Sequence, residues 1–137
     1  MCHSAALMDR RETEILLKQF GIRPTHSLGQ NFLVDGRVGQ RILQLTGAEG
    51  TDQVIEIGPG LGSLTRELAG AAGRIVAIEI DRHLIPVLEQ VLSTCSNCHI
   101  IHQDALNTDL SSLAAEWSGR TLVTANLPYY IDRKSVV

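Results

Sequence analysis

Four short polar groups in this chain each follow an apolar run, and their residue types suit recognition of an adenosine. The first is Glu56-Ile57-Gly58-Pro59-Gly60-Leu61-Gly62. Glycines there let the backbone turn tightly and approach a ligand, and a helix starting behind them offers free N–H groups. The second is Glu79, with Asp81 just beyond it. A carboxylate about 20 residues past a glycine turn suits the two hydroxyls of a ribose. The third is Asp104, which can accept from an adenine amine. The fourth is Asn126-Leu127-Pro128-Tyr129. The Asn126 side-chain oxygen and the carbonyls near Pro128 can accept from an exocyclic amine, and Tyr129 can stack on the base. Proline holds such a turn so that the acceptors converge. The arrangement would aim a nitrogen lone pair at a methyl donor, which is catalysis by positioning. A base treated this way must leave its stack.

Each group has a plainer reading. In isolation, Asn126 and Pro128 would end a strand and Tyr129 would pack. The cofactor signals upstream outweigh that reading. They leave a choice between a dinucleotide and S-adenosylmethionine. The dinucleotide fingerprint G-x-G-x-x-G needs a third glycine where this chain has Ser63, and Gly62 gives G-x-G-x-G instead. That difference alone is weak. The polar turn at Asn126 favours S-adenosylmethionine.

Positioning these groups requires a sheet. From Asp52 onward "QVIEI", "RIVAIEI", "HIIH" and "TLVTA" read as four strands. Between them "SLTRELAG" reads as a helix with Leu61, Leu64 and Leu68 inward, "DRHLIPVLEQVLS" as a helix capped by Asp81, and "LSSLAAEWS" as a weak helix. Pro86 should bend the second of these or trim its start. Strands alternating with helices argue a parallel α/β sheet with crossover helices. Near-continuous apolar strands fit a sheet covered on both faces. In open sheets of this kind, ligands bind at the carboxyl ends of the strands, where all four groups fall. Upstream, "RRETEILLKQFG" predicts a helix with Ile15, Leu16 and Phe20 on one side, stopped by Gly21. A loop follows. Asp35 is then expected to cap a helix with Val38, Ile42 and Leu45 at helical spacing, ended by Gly47.

Composition agrees with one domain. The chain has 137 residues, 44% of them apolar, enough for a core. No apolar run approaches the ~20 residues of a membrane span, and the N-terminus lacks the pattern of a secretory signal. A cytoplasmic protein without membrane contact is expected. The net charge of −3 is uneven, with residues 1–42 carrying six cations and four acids, hence +2, against −5 for the rest. A basic arm could meet phosphates, although a solvated helix face explains the same residues. Three cysteines make no disulfide framework. "CSNCH" (Cys95 to His99) imitates a haem-attachment motif but stands between a helix and a strand, and a closed zinc site wants four spaced ligands. It reads as a chance match, and no metal is expected.

With these residues in place, the sequence resembles the KsgA-type ribosomal RNA small-subunit adenine dimethyltransferases. The resemblance rests on "SLGQNFLVD" (Ser27 to Asp35), "VIEIGPGLGSLTREL" (Val54 to Leu68), "IVAIEID" (Ile75 to Asp81), "DAL" (Asp104 to Leu106) and "ANLPYYI" (Ala125 to Ile131). It implies a Rossmann-like S-adenosylmethionine-dependent methyltransferase fold. Asn31 and Leu33 would close over the methionine end of the cofactor. Gly58 and Gly60 would meet it through the backbone, Glu79 would hold the ribose and Asp104 the adenine amine. Asn126 would bridge cofactor and target, with Pro128 and Tyr129 completing the catalytic turn. The family places two methyl groups on each of two neighbouring adenines of small-subunit rRNA, so a monomer acting on the pre-ribosomal small subunit is implied. Large-subunit rRNA methylases and mitochondrial transcription factors of class B share the architecture. A NAD-dependent oxidoreductase is a more distant alternative.

Three segments are therefore expected. Residues 1–50 form helices and a cofactor-covering loop, 51–131 a partial methyltransferase domain, and 132–137 a non-native tail. The family sheet, with order 3-2-1-4-5-7-6, would be truncated here to its first four strands. Strand four would then be an apolar edge, which disfavours solubility. Little or no methylation is expected from these 137 residues alone. The ending "DRKSVV" departs from the family pattern. It is also what a common sequencing-adapter stretch, GATCGGAAGAGCGTCGTGTAG, encodes in frame to its stop codon.

Overall fold

The computed structural model describes residues 8–23, 41 and 43–125. Asn31, Leu33, Asp35, Val38, Ile42, Asn126, Pro128, Tyr129 and the segment 132–137 lie outside the described residues.

The chain enters through α1 (Arg10–Gln19). Asp9 caps it by accepting the Glu12 N–H at 2.8 Å. Its end is closed by Gly21 in the left-handed region, with φ 64°. There the Ile22 N–H donates to Leu17 O at 2.8 Å and the Gly21 N–H to Lys18 O at 3.2 Å. This is the paired-bond ending that glycine permits. The inward stripe is Thr13, Leu16 and Leu17, with Phe20 against the same cluster. Ile15, expected inward, is 57% exposed. Spacings of three, four and seven from Thr13 select Leu17 in its place. Residues 43–46 are helical, and Gly47 follows at φ 57°. Here too the apolar spacing misleads, because Leu45 is exposed while Leu43 packs against the main core.

The sheet comprises β1 (Gln53–Ile57), β2 (Arg74–Glu79), β3 (Cys98–His102) and β4 (Thr121–Ala125) in the order β3-β2-β1-β4. All neighbours are parallel. Between them lie α2 (Ser63–Ala69), α3 (Ile85–Val91) and α4 (Leu110–Ala115). Val54 and Ile75 pack with Leu64, Leu68, Leu88 and Leu92 on the α2–α3 face. Ile55, Val76 and Ile78 pack with Leu110 and Leu113 on the opposite face. Alternation along a strand sends successive side chains to opposite faces, so β1 and β2 carry apolar residues on both faces because both are covered. Leu61, Leu64 and Leu68 are all buried, as the spacing predicts. The four-strand order is also the expected one.

Two boundaries at the carboxyl end of β2 differ from expectation. β2 ends at Glu79, leaving Ile80 outside it. Asp81 does not cap α3. The helix begins at Ile85 after Leu84, with Pro86 in its first turn, so proline trims the start. Asp81 instead closes a separate turn, its carboxylate accepting the His83 N–H at 2.9 Å.

At the opposite, amino-terminal edge, Asp52 and Arg120 tie the approaches to β1 and β4 by two hydrogen bonds of 2.8 and 3.2 Å. The Arg120 guanidinium, helped by the Glu49 N–H, holds the Asp52 carboxyl below the usual carboxylate range.

Candidate functional site at the carboxyl edge of the sheet

The site begins where β1 runs out. The Gly58 N–H donates to Ile78 O at 2.9 Å, continuing the β1–β2 ladder one residue past the strand. The chain then reverses. Gly58, Gly60 and Gly62 have φ of 69°, 61° and 86°, a region that penalises any side chain. The Gly62 N–H closes the turn on Pro59 O at 3.0 Å. At Gly62 a Cβ would also stand 3.0 Å from a Leu88 side-chain carbon and 3.4 Å from one of Val91. Two constraints therefore exclude a larger residue: backbone conformation and contact with α3.

Beside this turn lies the carboxylate of Glu79, the last residue of β2. Its Oε1 accepts the Gly60 N–H at 3.3 Å and its Oε2 the Asp81 N–H at 3.0 Å. Burial raises the Glu79 pKa, while these backbone donors oppose the shift. Each carboxylate oxygen has two acceptor directions, so bonding to one N–H apiece leaves capacity for hydroxyl donors. Gly60 and Glu79, 19 residues apart in the chain, are thus in direct contact.

Asp104 lies just past β3. The strand pairing aligns His102 with Glu79, and the Gln103 N–H donates to Glu79 O at 3.0 Å. Asp104 thereby reaches the same edge one strand over. Its Oδ1 accepts the Leu106 N–H at 3.0 Å, capping a short 3₁₀ turn at Ala105–Asn107.

Two apolar side chains at this edge escaped the sequence reading. Ile80 is 64% exposed and Leu106 is 93% exposed. Ile80 directly follows Glu79 past the end of β2, and Leu106 lies in the 3₁₀ turn two residues after Asp104, so each carboxylate has an exposed apolar side chain near it in the chain. The available signal was the register: a residue past the end of β2 cannot share that strand's burial.

Glu56 heads the first polar group, but the sequence assigned it no role of its own. It lies on β1 below the glycine turn and is wholly buried. The Thr65 hydroxyl of α2 donates to its Oε1, and its Oε2 has no hydrogen-bond partner among the described residues. Burial pushes the Glu56 carboxyl up to about 7, against the Thr65 bond and assisted by the nearby Glu79 charge. An acid among the apolar residues of "QVIEI" was the signal.

The structure therefore brings Gly58, Gly60 and Glu79 into one cluster and sets Asp104 beside it. Asn31, Leu33, Asn126, Pro128 and Tyr129 lie outside the described residues. Ala125 ends β4 in register with Ile57, the residue before Gly58, so the chain leaves β4 at the edge that carries the turn. Among the described residues, no three His, Cys, Asp or Glu side chains are grouped to hold a metal ion. Cys95 of the "CSNCH" stretch is buried in the core, and burial pushes the Cys98 thiol up to about 11. Among these residues, no helix is long and apolar enough to cross a membrane.

Comparison with known proteins places this edge in context. Residues 22–136 match the family described as ribosomal RNA adenine dimethylase. The ribosomal RNA small subunit methyltransferase A of Shouchella clausii is 48% identical over 122 residues, which cover 87% of this chain and 41% of that relative. The chain thus spans about two-fifths of that protein's length. Among solved structures, a dimethyladenosine transferase from Plasmodium falciparum superposes with a TM-score of 0.62 at 25% identity, covering 77% of this chain and 37% of that one. The 23S rRNA methyltransferase ErmE superposes with a TM-score of 0.58 at 28% identity, covering 77% and 51%.

Proposed function

The chain belongs to the ribosomal RNA adenine dimethylase family, and from that premise we propose that it carries the cofactor half of an S-adenosylmethionine-dependent enzyme dimethylating adenine N6 in small-subunit rRNA. The observation that carries this reading is the meeting of the Gly60 N–H with the Glu79 carboxylate at the carboxyl edge of a parallel sheet. A close backbone turn beside a hydrogen-bonded carboxylate suits a ribose, and Asp104 offers an acceptor for an adenine amine. Ile80 and Leu106 supply apolar surface for the base.

When bound, the cofactor supplies an electrophilic methyl group. The protein's part is to orient and to accept hydrogen bonds. In this reading Asn31 and Leu33 cover the methionine end, Asn126 and Pro128 accept from the target amine, and Tyr129 stacks on the target adenine. The departure of β4 at Ala125 beside Ile57 supports a target turn next to the glycine turn. Residues 1–50 serve as the covering segment and 51–131 as the methyltransferase portion. The proposed setting is a cytoplasmic monomer acting on the pre-ribosomal small subunit.

Calorimetric titration tests the cofactor. S-adenosylmethionine or S-adenosylhomocysteine should bind and NAD should not; the reverse would assign the turn to a dinucleotide. A large-subunit target is the second reading, favoured by the superposition on ErmE. Tritium transfer to isolated small and large subunits, using a protein of the relatives' full length, distinguishes the two. Asn126→Ala should abolish transfer while leaving RNA binding largely intact.

A further inference from the structure

Helix α1 precedes the span matched to the family, which begins at residue 22. Yet it is fastened to the glycine turn and the start of α2 by three separate contacts. The Met8 N–H, just ahead of α1, donates to Ser63 Oγ at 2.9 Å in a buried setting. The Glu12 carboxylate accepts from both terminal nitrogens of Arg66, at 3.0 and 3.3 Å. Leu16 and Leu17 share a buried cluster with Leu61 of the turn and with Leu84 and Val87. Further along, Gln19 and Gln90 exchange amide hydrogen bonds at 3.0 and 3.3 Å, fastening α1 to α3 as well.

The first three of these contacts reach residues 61–66, directly behind the Gly60 amide that meets Glu79. Gly58, Gly60 and Gly62 give that turn more backbone freedom than any other residues would. Its shape must therefore be held from outside. Glu56 and Thr65 hold α2 from the sheet side. α1 holds it from the other. Its own ends are fixed by Asp9 and Gly21, so it can act as a stiff brace. Arg66 is the better buried member of the ion pair, its side chain 17% exposed against 43% for Glu12. A two-point guanidinium–carboxylate contact fixes orientation as well as distance.

We infer that α1 is a positioning element for the cofactor turn and that the Glu12–Arg66 pair is its latch. The inference rests on the cofactor reading proposed above. It makes Glu12 and Arg66 positioning residues that act through Leu61 and Ser63, without touching the cofactor.

The test is a double-mutant cycle on the 137-residue chain, with Glu12→Gln, Arg66→Gln and the two combined. S-adenosylhomocysteine affinity is measured by calorimetry well below the unfolding midpoint, alongside the ¹H–¹⁵N signal of Gly60. Each single variant should weaken binding about threefold to fivefold, the scale of a partly exposed ion pair. Each should also displace the Gly60 signal. The double variant should lose less than the product of the two single losses, because residues in direct contact are not additive. Unchanged affinity and an unmoved Gly60 signal, with only the unfolding midpoint lowered, would make α1 a structural clamp and overturn the inference. Losses that multiply in the double variant would overturn the latch. A wild-type chain that binds no S-adenosylhomocysteine would remove the cofactor reading and this inference with it. Normal wild-type binding with indifferent variants would remove the inference alone.

Discussion

Thr65 of α2 donates its hydroxyl to the buried carboxyl of Glu56 on β1, joining helix to sheet directly beneath the glycine turn. One Glu56 oxygen is held this way, while the other is buried without a hydrogen-bond partner among the described residues. A neutral carboxyl tolerates that position better than a charged one, which is why the Glu56 pKa rises from 4.5 to about 7.

Stability should therefore fall as pH rises across that window. The folded state holds a proton that the unfolded state releases near 4.5, so the contribution is complete below 4.5 and is lost as pH rises through about 7. The loss approaches about 3 kcal/mol at the upper end. Glu79, shifted in the same direction, adds to the trend. Denaturant unfolding of the wild type and Glu56→Gln at pH 5 and pH 8 checks this. The variant should be flatter with pH and the more stable of the two at pH 8. Parallel curves would show that Glu56 is already ionised.

Glu79→Gln should weaken S-adenosylhomocysteine binding by roughly tenfold or more, the scale of losing charge-assisted hydrogen bonds. Relief of the buried charge at pH 8 is offset by the loss of one of the two backbone N–H acceptors, so the unfolding midpoint should move less than the affinity. Titration calorimetry paired with thermal melting separates the two effects. A tenfold affinity loss matched by an equally large stability loss would indicate general disruption.

Asp104 offers a finer discrimination. If it accepts from the adenine amine, Asp104→Asn should reduce preference for S-adenosylhomocysteine over its inosine analogue, which presents a carbonyl there. Competition binding with both ligands reads the ratio. An unchanged preference would leave Asp104 only as the cap of the 3₁₀ turn, accepting from Leu106.

Gly62→Ala should destabilise the protein by about 1–3 kcal/mol, because φ of 86° strains an L-residue and the new methyl group meets Leu88 at 3.0 Å. Chemical denaturation gives the figure. Gly50→Ala is the control, since a Cβ there meets nothing within 4 Å and Gly50 is absent from the positive-φ glycines. Equal effects at the two positions would refute the steric argument.

Much of the architecture was readable because its signals are local. "QVIEI" and "TLVTA" coincide with β1 and β4, and Leu61, Leu64 and Leu68 are buried at their helical spacing. Reading failed where a neighbour decides. Ile15 lost its place to Leu17 because the face of α1 is chosen by Leu61, Leu84 and Val87. Asp81 suits a helix cap by type, but Pro86 moves the helix start to Ile85 and leaves the aspartate to a turn of its own.

The sequence by itself determined the alternation of strands and helices, the glycines that permit a left-handed turn, and the acids that follow strands two and three. Those follow from periodicity and backbone sterics, which act over a few residues. Only the tertiary structure decided that the Gly60 amide meets the Glu79 carboxylate, that Glu56 is sealed under the turn, and that Glu12 reaches Arg66 54 positions away. Parallel pairing and helix packing make those contacts, and desolvation, a property of the assembled core, sets the charge state of the buried acids.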